Sequence, residues 1–136
     1  MAFEYLPQTL KAQIQHKSSR MLPFSEKSLF KILHACCEAL AYLDEKGISH
    51  DALSPYNILI NAEKKSYKIT DSRFMNATSL YQRFLLGSAS EAECYLSPEQ
   101  MRALRHRERS PFFSHQKSDV FALALSTLEA ATLTSI

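Results

Sequence analysis

Residues 49–60, SHDALSPYNILI in one-letter code, contain the side chains of this chain that are best suited to chemistry. His50 is of the type that most often moves protons in enzymes, and Asn57 offers both hydrogen-bond donors and an acceptor. The apolar residues 58–60 follow directly and are typical of a buried strand that could hold these groups in place. Ala52 lies between these polar residues, and its methyl group can neither donate nor accept a proton.

Charge and composition describe an ordinary globular domain. The 136 residues are 46% hydrophobic and 22% charged, which is typical of a folded chain with one core and argues against disorder. The formal net charge of +2 is too small to indicate a nucleic-acid-binding protein. We interpret a short basic run in the second half as a solvated face, with a docking surface as the alternative. Its members are Arg102, Arg105, His106, Arg107 and Arg109.

Cysteine usage and hydropathy favour an intracellular location. Cys36, Cys37 and Cys94 lack the C-x-x-C spacing of metal sites, so we expect free thiols in a reducing compartment, used as small core side chains. Residues 1–7 contain neither a basic leader nor an apolar stretch of signal-peptide length. The most apolar segment, residues 120–133, is shorter than the roughly 18 to 20 residues that cross a membrane. We therefore expect a cytoplasmic protein that does not span a membrane.

The middle of the chain shows the clearest periodicity. Apolar residues recur at three- and four-residue spacing over residues 26–46, with Ser25 as N-cap and Gly47 as stop signal, which predicts a long helix. Two short apolar runs, residues 57–60 and 67–70, are separated by a polar turn. This pattern predicts a β-hairpin.

Capping residues predict three further helices. Thr9 is expected to start a brief helix that ends near residue 16. Ser97-Pro98 supplies an N-cap and a first-turn proline, and Ser118 is expected to open a last helix that is apolar nearly all round and therefore buried. Residues 71–96 lack sustained periodicity, which predicts a long ordered loop, and loops of this length are usually functional.

The order of these motifs resembles the C-terminal lobe of a eukaryotic protein kinase. Residues 50–57 are similar to the family's catalytic loop H-R-D-L-x-x-x-N, residues 71–73 to D-F-G, and residues 97–99 to A-P-E. Residues 118–124 are similar to the S-D-V-W-S-x-G that opens the family's buried helix, and residues 3–7 to the hinge between the lobes. The resemblance covers almost all of residues 1–136. It implies an α+β fold, mainly helical with a small β-hairpin, with the N-terminal lobe missing from this chain.

The resemblance assigns roles to individual residues. His50 and Asp119 correspond to structural positions of the catalytic loop, while Asn57 and Asp71 correspond to the Mg²⁺ ligands that hold the phosphates of ATP. The resemblance also places Ser97, Pro98 and Glu99 in the activation segment. It places Glu4, Tyr5 and Leu6 in the hinge, which contributes to nucleotide binding in the family.

The departures from the family pattern concern catalysis. The family's catalytic Asp accepts the hydroxyl proton of the substrate and lies five residues before Asn57, where this chain has Ala52. Asp51 is a weaker candidate for that role, because it occupies the position of the family's Arg, whose side chain points towards the long loop. Ser54 replaces a Lys that contacts the transferred phosphate, and residues 72–73 replace Phe-Gly, which removes a flexible glycine.

Three functional hypotheses follow. The first is a kinase-like binding or scaffold module that has lost phosphotransfer and contacts a protein partner or the remaining kinase lobe. The second is a truncated part of an active Ser/Thr-type kinase that uses ATP and Mg²⁺, because phosphoryl transfer depends mainly on positioning and electrostatics. The third is a helical interaction domain with no kinase ancestry, which predicts that Asn57 and Asp71 lie far apart. Separately from these hypotheses, the alternative to the metal-ligand role is that Asn57 bonds to backbone and Asp71 caps a turn.

Overall fold

A computed structural model describes residues 6–70, 78–91 and 94–135. In these residues the chain forms an α+β fold that is mainly helical and includes one small antiparallel sheet. In chain order the elements are β1 (Gln8–Thr9), α1 (Leu10–Ser19), α2 (Glu26–Glu45), β2 (Ile58–Asn61), β3 (Ser66–Ile69), α3 (Leu80–Leu85), α4 (Pro98–Arg105) and α5 (His115–Thr132).

Helix α2 begins and ends where its capping residues predict. The Ser25 hydroxyl accepts a hydrogen bond from the backbone N–H of Ser28 at 3.2 Å, which satisfies one of the free donors of the first turn. Lys46 is the C-cap, and Gly47 follows with a φ of +67°. This left-handed conformation is accessible to glycine without a steric penalty, so Gly47 reverses the chain and ends the helix.

The predicted hairpin is formed by β2 and β3, and a third strand that the sequence did not indicate joins it. Strand β2 pairs antiparallel with β3 through partners that run from Ile58↔Ile69 to Asn61↔Ser66. Strand β1 pairs with the other edge of β2 and contains only two residues. Two residues are too few to show an alternating pattern, which explains why this strand was not predicted.

Helices α1 and α5 are longer than predicted, and helix α3 was missed. Thr9 caps α1 as expected, but the helix continues to Ser19. Helix α5 starts at His115 with Ser114 as its N-cap, ahead of the expected start at Ser118. Helix α3 interrupts the region that was predicted to be a loop, and a capping box formed by the residues at its N-terminus fixes its start.

The core lies between α2, α5 and the hairpin. Ile32, Cys36, Ile58 and Leu123 are among its buried members. Desolvation by burial raises the pKa of the Cys36 thiol to about 12, which is typical of an inert core cysteine. The expectation that all three thiols serve as core side chains is wrong for Cys37, which is exposed.

Helix α5 is the central helix but it is not covered on every side. Ala122, Ser126 and Glu129 are buried, whereas Val120 and Leu128 are 59% and 52% exposed. The prediction of burial nearly all round is therefore correct for only part of this helix. Among the described residues, no helix has the length and apolar character that crossing a bilayer requires.

Candidate functional site

The loop of residues 50–57, called loop 50–57 below, is anchored to α5 by one buried carboxylate. The two oxygens of Asp119 accept hydrogen bonds from the backbone N–H groups of His50 at 2.7 Å and Asp51 at 2.9 Å. Burial raises the pKa of Asp119 above its ordinary value, although the two backbone donors and the His50 ring lower it. The carboxylate thereby replaces the water that these N–H groups would otherwise need.

The imidazole of His50 joins loop 50–57 to the end of the hairpin. Its Nε2 lies 2.6 Å from the carbonyl oxygen of Thr70, and its Nδ1 lies 3.3 Å from the backbone nitrogen of Ala52. Because a carbonyl oxygen can only accept, Nε2 carries the proton and Nδ1 accepts from Ala52. His50 is 4% exposed. Both ring nitrogens bond to backbone, so the ring shapes the loop.

The Asn57 side chain closes loop 50–57 through a hydrogen bond to Ala52, which stands at the position of the family's catalytic Asp. Its side-chain nitrogen donates to the carbonyl oxygen of Ala52 at 2.7 Å. Its own carbonyl oxygen accepts from the backbone N–H of Thr70 at 2.9 Å, which places Asn57 beside the residue that precedes Asp71. Within the described part of the chain no donor contacts the side-chain oxygen of Asn57. That oxygen is available to a cation, and an amide oxygen is a suitable ligand for Mg²⁺.

Asp51 directs its carboxylate towards the start of α5. One oxygen lies 2.6 Å from Nδ1 of His115, and the other accepts from the hydroxyl of Ser49 at 2.8 Å. The backbone of Asp51 is left-handed, with a φ of 61°, which is uncommon for a residue with a side chain. Its carbonyl oxygen accepts from the N–H of Leu80 at 2.9 Å. Helix α3, which was not predicted, therefore helps to position loop 50–57.

The Ser-Pro-Glu segment starts α4 and connects it to α5. Ser97 and Gln100 form a capping box, and Pro98 occupies the first turn, where its missing N–H is not needed. The hydroxyls of Ser97 and Ser118 are 3.1 Å apart, and both residues are buried. Glu99 is exposed and forms no ion pair with the described residues.

A buried ionic network, which sequence reasoning missed, lies next to loop 50–57 and is bonded to it. The ammonium of Lys11 pairs with the carboxylate of Glu129, and the hydroxyl of Tyr95 donates to the second oxygen of that carboxylate. The backbone N–H of Lys11 also donates to the carbonyl oxygen of Pro55 at 2.9 Å. Lys11, Tyr95 and Glu129 are each less than a tenth exposed. No spacing rule links residues so distant in sequence, and their only sequence signal is a single Glu in an apolar helix.

Several predicted site residues lie outside the described residues. These are Glu4 and Tyr5 of the hinge-like segment, and Asp71 with residues 72–73. Leu6 is described and is half-buried. In the described residues, no three His, Cys, Asp or Glu side chains come together as a metal-binding group. A cation at this site would thus depend on Asn57 together with ligands from outside the described residues.

Comparison with known proteins finds similarity to protein kinases. The family described as protein kinase domain matches residues 1–136. A MAP kinase kinase of Saccharomyces cerevisiae is 30% identical over 132 residues, which is 96% of this chain and 24% of that protein. A probable myosin light chain kinase of Dictyostelium discoideum is 32% identical over 80 residues, which is 56% of this chain and 22% of that protein.

The chain thus spans about a quarter of the length of these relatives. The family match also overturns one of the three hypotheses, the helical interaction domain without kinase ancestry. This chain belongs to the protein kinase domain family.

Proposed function

We propose that the chain is part of a kinase-like binding or scaffold module that does not transfer phosphate. The observation that carries the proposal is Ala52, which takes the place of a general base in a loop that is otherwise held in position. Its methyl group cannot accept a proton, and its backbone accepts the Asn57 amide. A positioned general base accelerates a reaction by about 10²- to 10⁴-fold, so its loss predicts a correspondingly slow transfer.

Asp51 is poorly placed to substitute for the missing acid. Both of its carboxylate oxygens already have partners, His115 and Ser49. To serve as a base at the Asn57 side, the carboxylate would have to break both contacts and turn around. The hydrogen bonds of its N–H and C=O groups also hold its backbone in place, so a backbone shift that redirected the side chain would break further contacts.

Space beside Ala52 is also scarce. The cavity that Ala52 lines together with Leu53, Tyr95 and Leu96 has a volume of about 10 Å³. That volume is about the minimum for one water molecule, and the side chain of Ala52 is only 8% exposed. This cavity is therefore too small to admit a substrate.

Nucleotide binding is compatible with the same site. Members of this family generally use ATP and Mg²⁺. Asn57, which has an available side-chain oxygen, would supply one metal ligand, and Asp71 would supply the second. When bound, the metal would neutralise the phosphates of ATP. We propose that this chain binds ATP and Mg²⁺ at the site that other members of the family use, without transferring phosphate.

Restoring the acid tests the proposal. The full-length protein and its Ala52→Asp and Ala52→Asn variants are incubated with radiolabelled ATP, Mg²⁺ and a general protein substrate. We expect no transfer by the natural protein or by Ala52→Asn, which matches the size of the acid without its basicity, and a clear gain for Ala52→Asp. Transfer by the natural protein at the rate of Ala52→Asp would show that the base is supplied elsewhere and would overturn the proposal.

A further inference from the structure

The connection from α4 to α5 presents a concentration of positive charge. Arg102, Arg105, Arg107 and Arg109, called the arginine surface below, supply four of the 16 lysines and arginines of the chain within eight residues. All four are exposed. Within the described part of the chain, none of them forms an ion pair. Their charge is therefore available to a partner from outside.

The backbone sets the direction of these side chains. On α4 the residues Gln100 and Ala103 face the interior, so Arg102 and Arg105, one turn apart, lie on the opposite face. The turn after the helix is fixed by two hydrogen bonds to its last carbonyl groups, from Arg107 at 3.0 Å and from Glu108 at 3.1 Å. Arg107 adopts a left-handed φ of 51° in this turn. The surface thus has a defined shape.

Tyr81 of α3 pins the connection at two points. Its hydroxyl donates to the carbonyl oxygen of Glu108 at 2.5 Å. Its ring lies 6.1 Å from the ring of Phe113, which in turn lies 4.5 Å from the ring of His115. Residues 109–112 therefore lie between two fixed points.

Phe112 is the aromatic residue of the segment 109–112. It is fully exposed, whereas its neighbour Phe113 is half-buried against Tyr81. Pro111 restricts the backbone just before it. Phe112 lies three residues after Arg109 in the sequence, and aromatic residues and arginines are both enriched in the energetically important part of protein interfaces. A pinned segment also loses little conformational freedom on binding.

We propose that the arginine surface and Phe112 bind an acidic segment of a partner protein, with carboxylates on the arginines and an apolar pocket or side chain against Phe112. Charge complementarity supports this occupant. A nucleic acid is less favoured, because Glu99 and Glu108 lie among the arginines and the net charge of the chain is only +2. The proposal rests on the binding role proposed above, since it names the surface through which such a module would act.

The probe is a fluorescein-labelled peptide in which glutamates are interspersed with leucines, titrated into the full-length protein and followed by anisotropy. We expect saturable binding that weakens with added salt, because screening shortens the reach of exposed charges to about 3 Å at 1 M salt. Replacing the glutamates of the peptide with lysines should abolish binding, and replacing its leucines with serines should weaken it. A labelled single-stranded oligonucleotide is titrated in parallel.

Variants assign the binding to the surface. The double variant Arg105→Glu, Arg107→Glu should weaken peptide binding by at least about tenfold, and Phe112→Ser by at least about fivefold. Arg20→Glu is the matched control, because Arg20 is an exposed arginine at the C-cap of α1, and it should bind as the natural protein does. Circular dichroism is recorded for every variant to show that the fold is retained.

Three outcomes of these titrations would contradict the proposed binding surface. Absence of peptide binding, equal weakening by Arg20→Glu, or tighter binding of the oligonucleotide than of the peptide would overturn it. Phosphotransfer is measured on the same preparations, so that the two proposals fail separately. Peptide binding by a protein that transfers phosphate leaves this surface standing and refutes the proposed loss of catalysis, whereas no binding by an inactive protein refutes only the surface.

Discussion

Replacing Asp119 with Asn should destabilise the chain by removing the anchor of loop 50–57. The two carboxylate oxygens of Asp119 accept from His50 at 2.7 Å and Asp51 at 2.9 Å. An asparagine offers a single acceptor oxygen, and its amide group would place N–H donors against one of these N–H groups. His50 is 4% exposed, so water cannot readily satisfy the abandoned donor.

The expected loss follows from these contacts. A hydrogen bond to a charged group contributes about 1.5–3 kcal/mol, and a buried donor left without a partner costs about 1–3 kcal/mol. Because the two effects overlap, we expect the free energy of unfolding to fall by about 3 kcal/mol. Domains of this kind have about 5–15 kcal/mol in total, so the variant should still fold.

Urea denaturation followed by far-ultraviolet circular dichroism measures the difference. Asp44→Asn is the matched control, because Asp44 lies exposed on α2, and its effect should stay within about 0.5 kcal/mol. If Asp119→Asn costs no more than Asp44→Asn, the two backbone hydrogen bonds do not hold loop 50–57 and the account of the site is wrong.

Three further predictions concern buried ionisable groups. Lys11→Met should cost about 3–5 kcal/mol in urea denaturation, because it leaves the buried carboxylate of Glu129 bonded to the Tyr95 hydroxyl but without a counter-charge. The double variant Lys11→Met, Glu129→Gln should recover most of the loss, and a smaller cost for the single variant than for the double would contradict this. At mildly alkaline pH a thiol reagent should modify exposed Cys37 well before buried Cys36, whose pKa is raised to about 12. The raised pKa also means that Cys36 contributes stability below its ordinary pKa of 9.0, which is lost as pH rises towards about 12. In a chain with Cys36→Ala the unfolding free energy should fall less over this pH range, and equal falls would contradict the assignment.

Local signals made much of the fold predictable. Ser25 and Gly47 act through neighbouring backbone groups, so the ends of α2 could be read directly from the sequence. The same holds for the Ser97-Pro98 cap of α4. Helix α3 also has a local signal, Ser79 three residues before Gln82, but a helix of six residues is too short to show an apolar period.

Features that depend on distant contacts could not be predicted. The ion pair of Lys11 with Glu129 joins residues 118 positions apart, and the contact of Asp51 with His115 joins residues 64 positions apart. Neither pair has a characteristic spacing, since tertiary packing alone brings them together. The resemblance to kinases indicated which loop mattered. Only the structure showed that the carboxylate beside Ala52 is already engaged.

The most direct test of the central claim is a single-turnover measurement of phosphate transfer from ATP by the full-length natural protein, with Asp51→Asn alongside. We expect equally slow transfer by the two proteins, because Ala52 offers no base and Asp51 is held by His115 and Ser49. Transfer by the natural protein that disappears in Asp51→Asn would contradict this expectation, since that result would identify Asp51 as the working base.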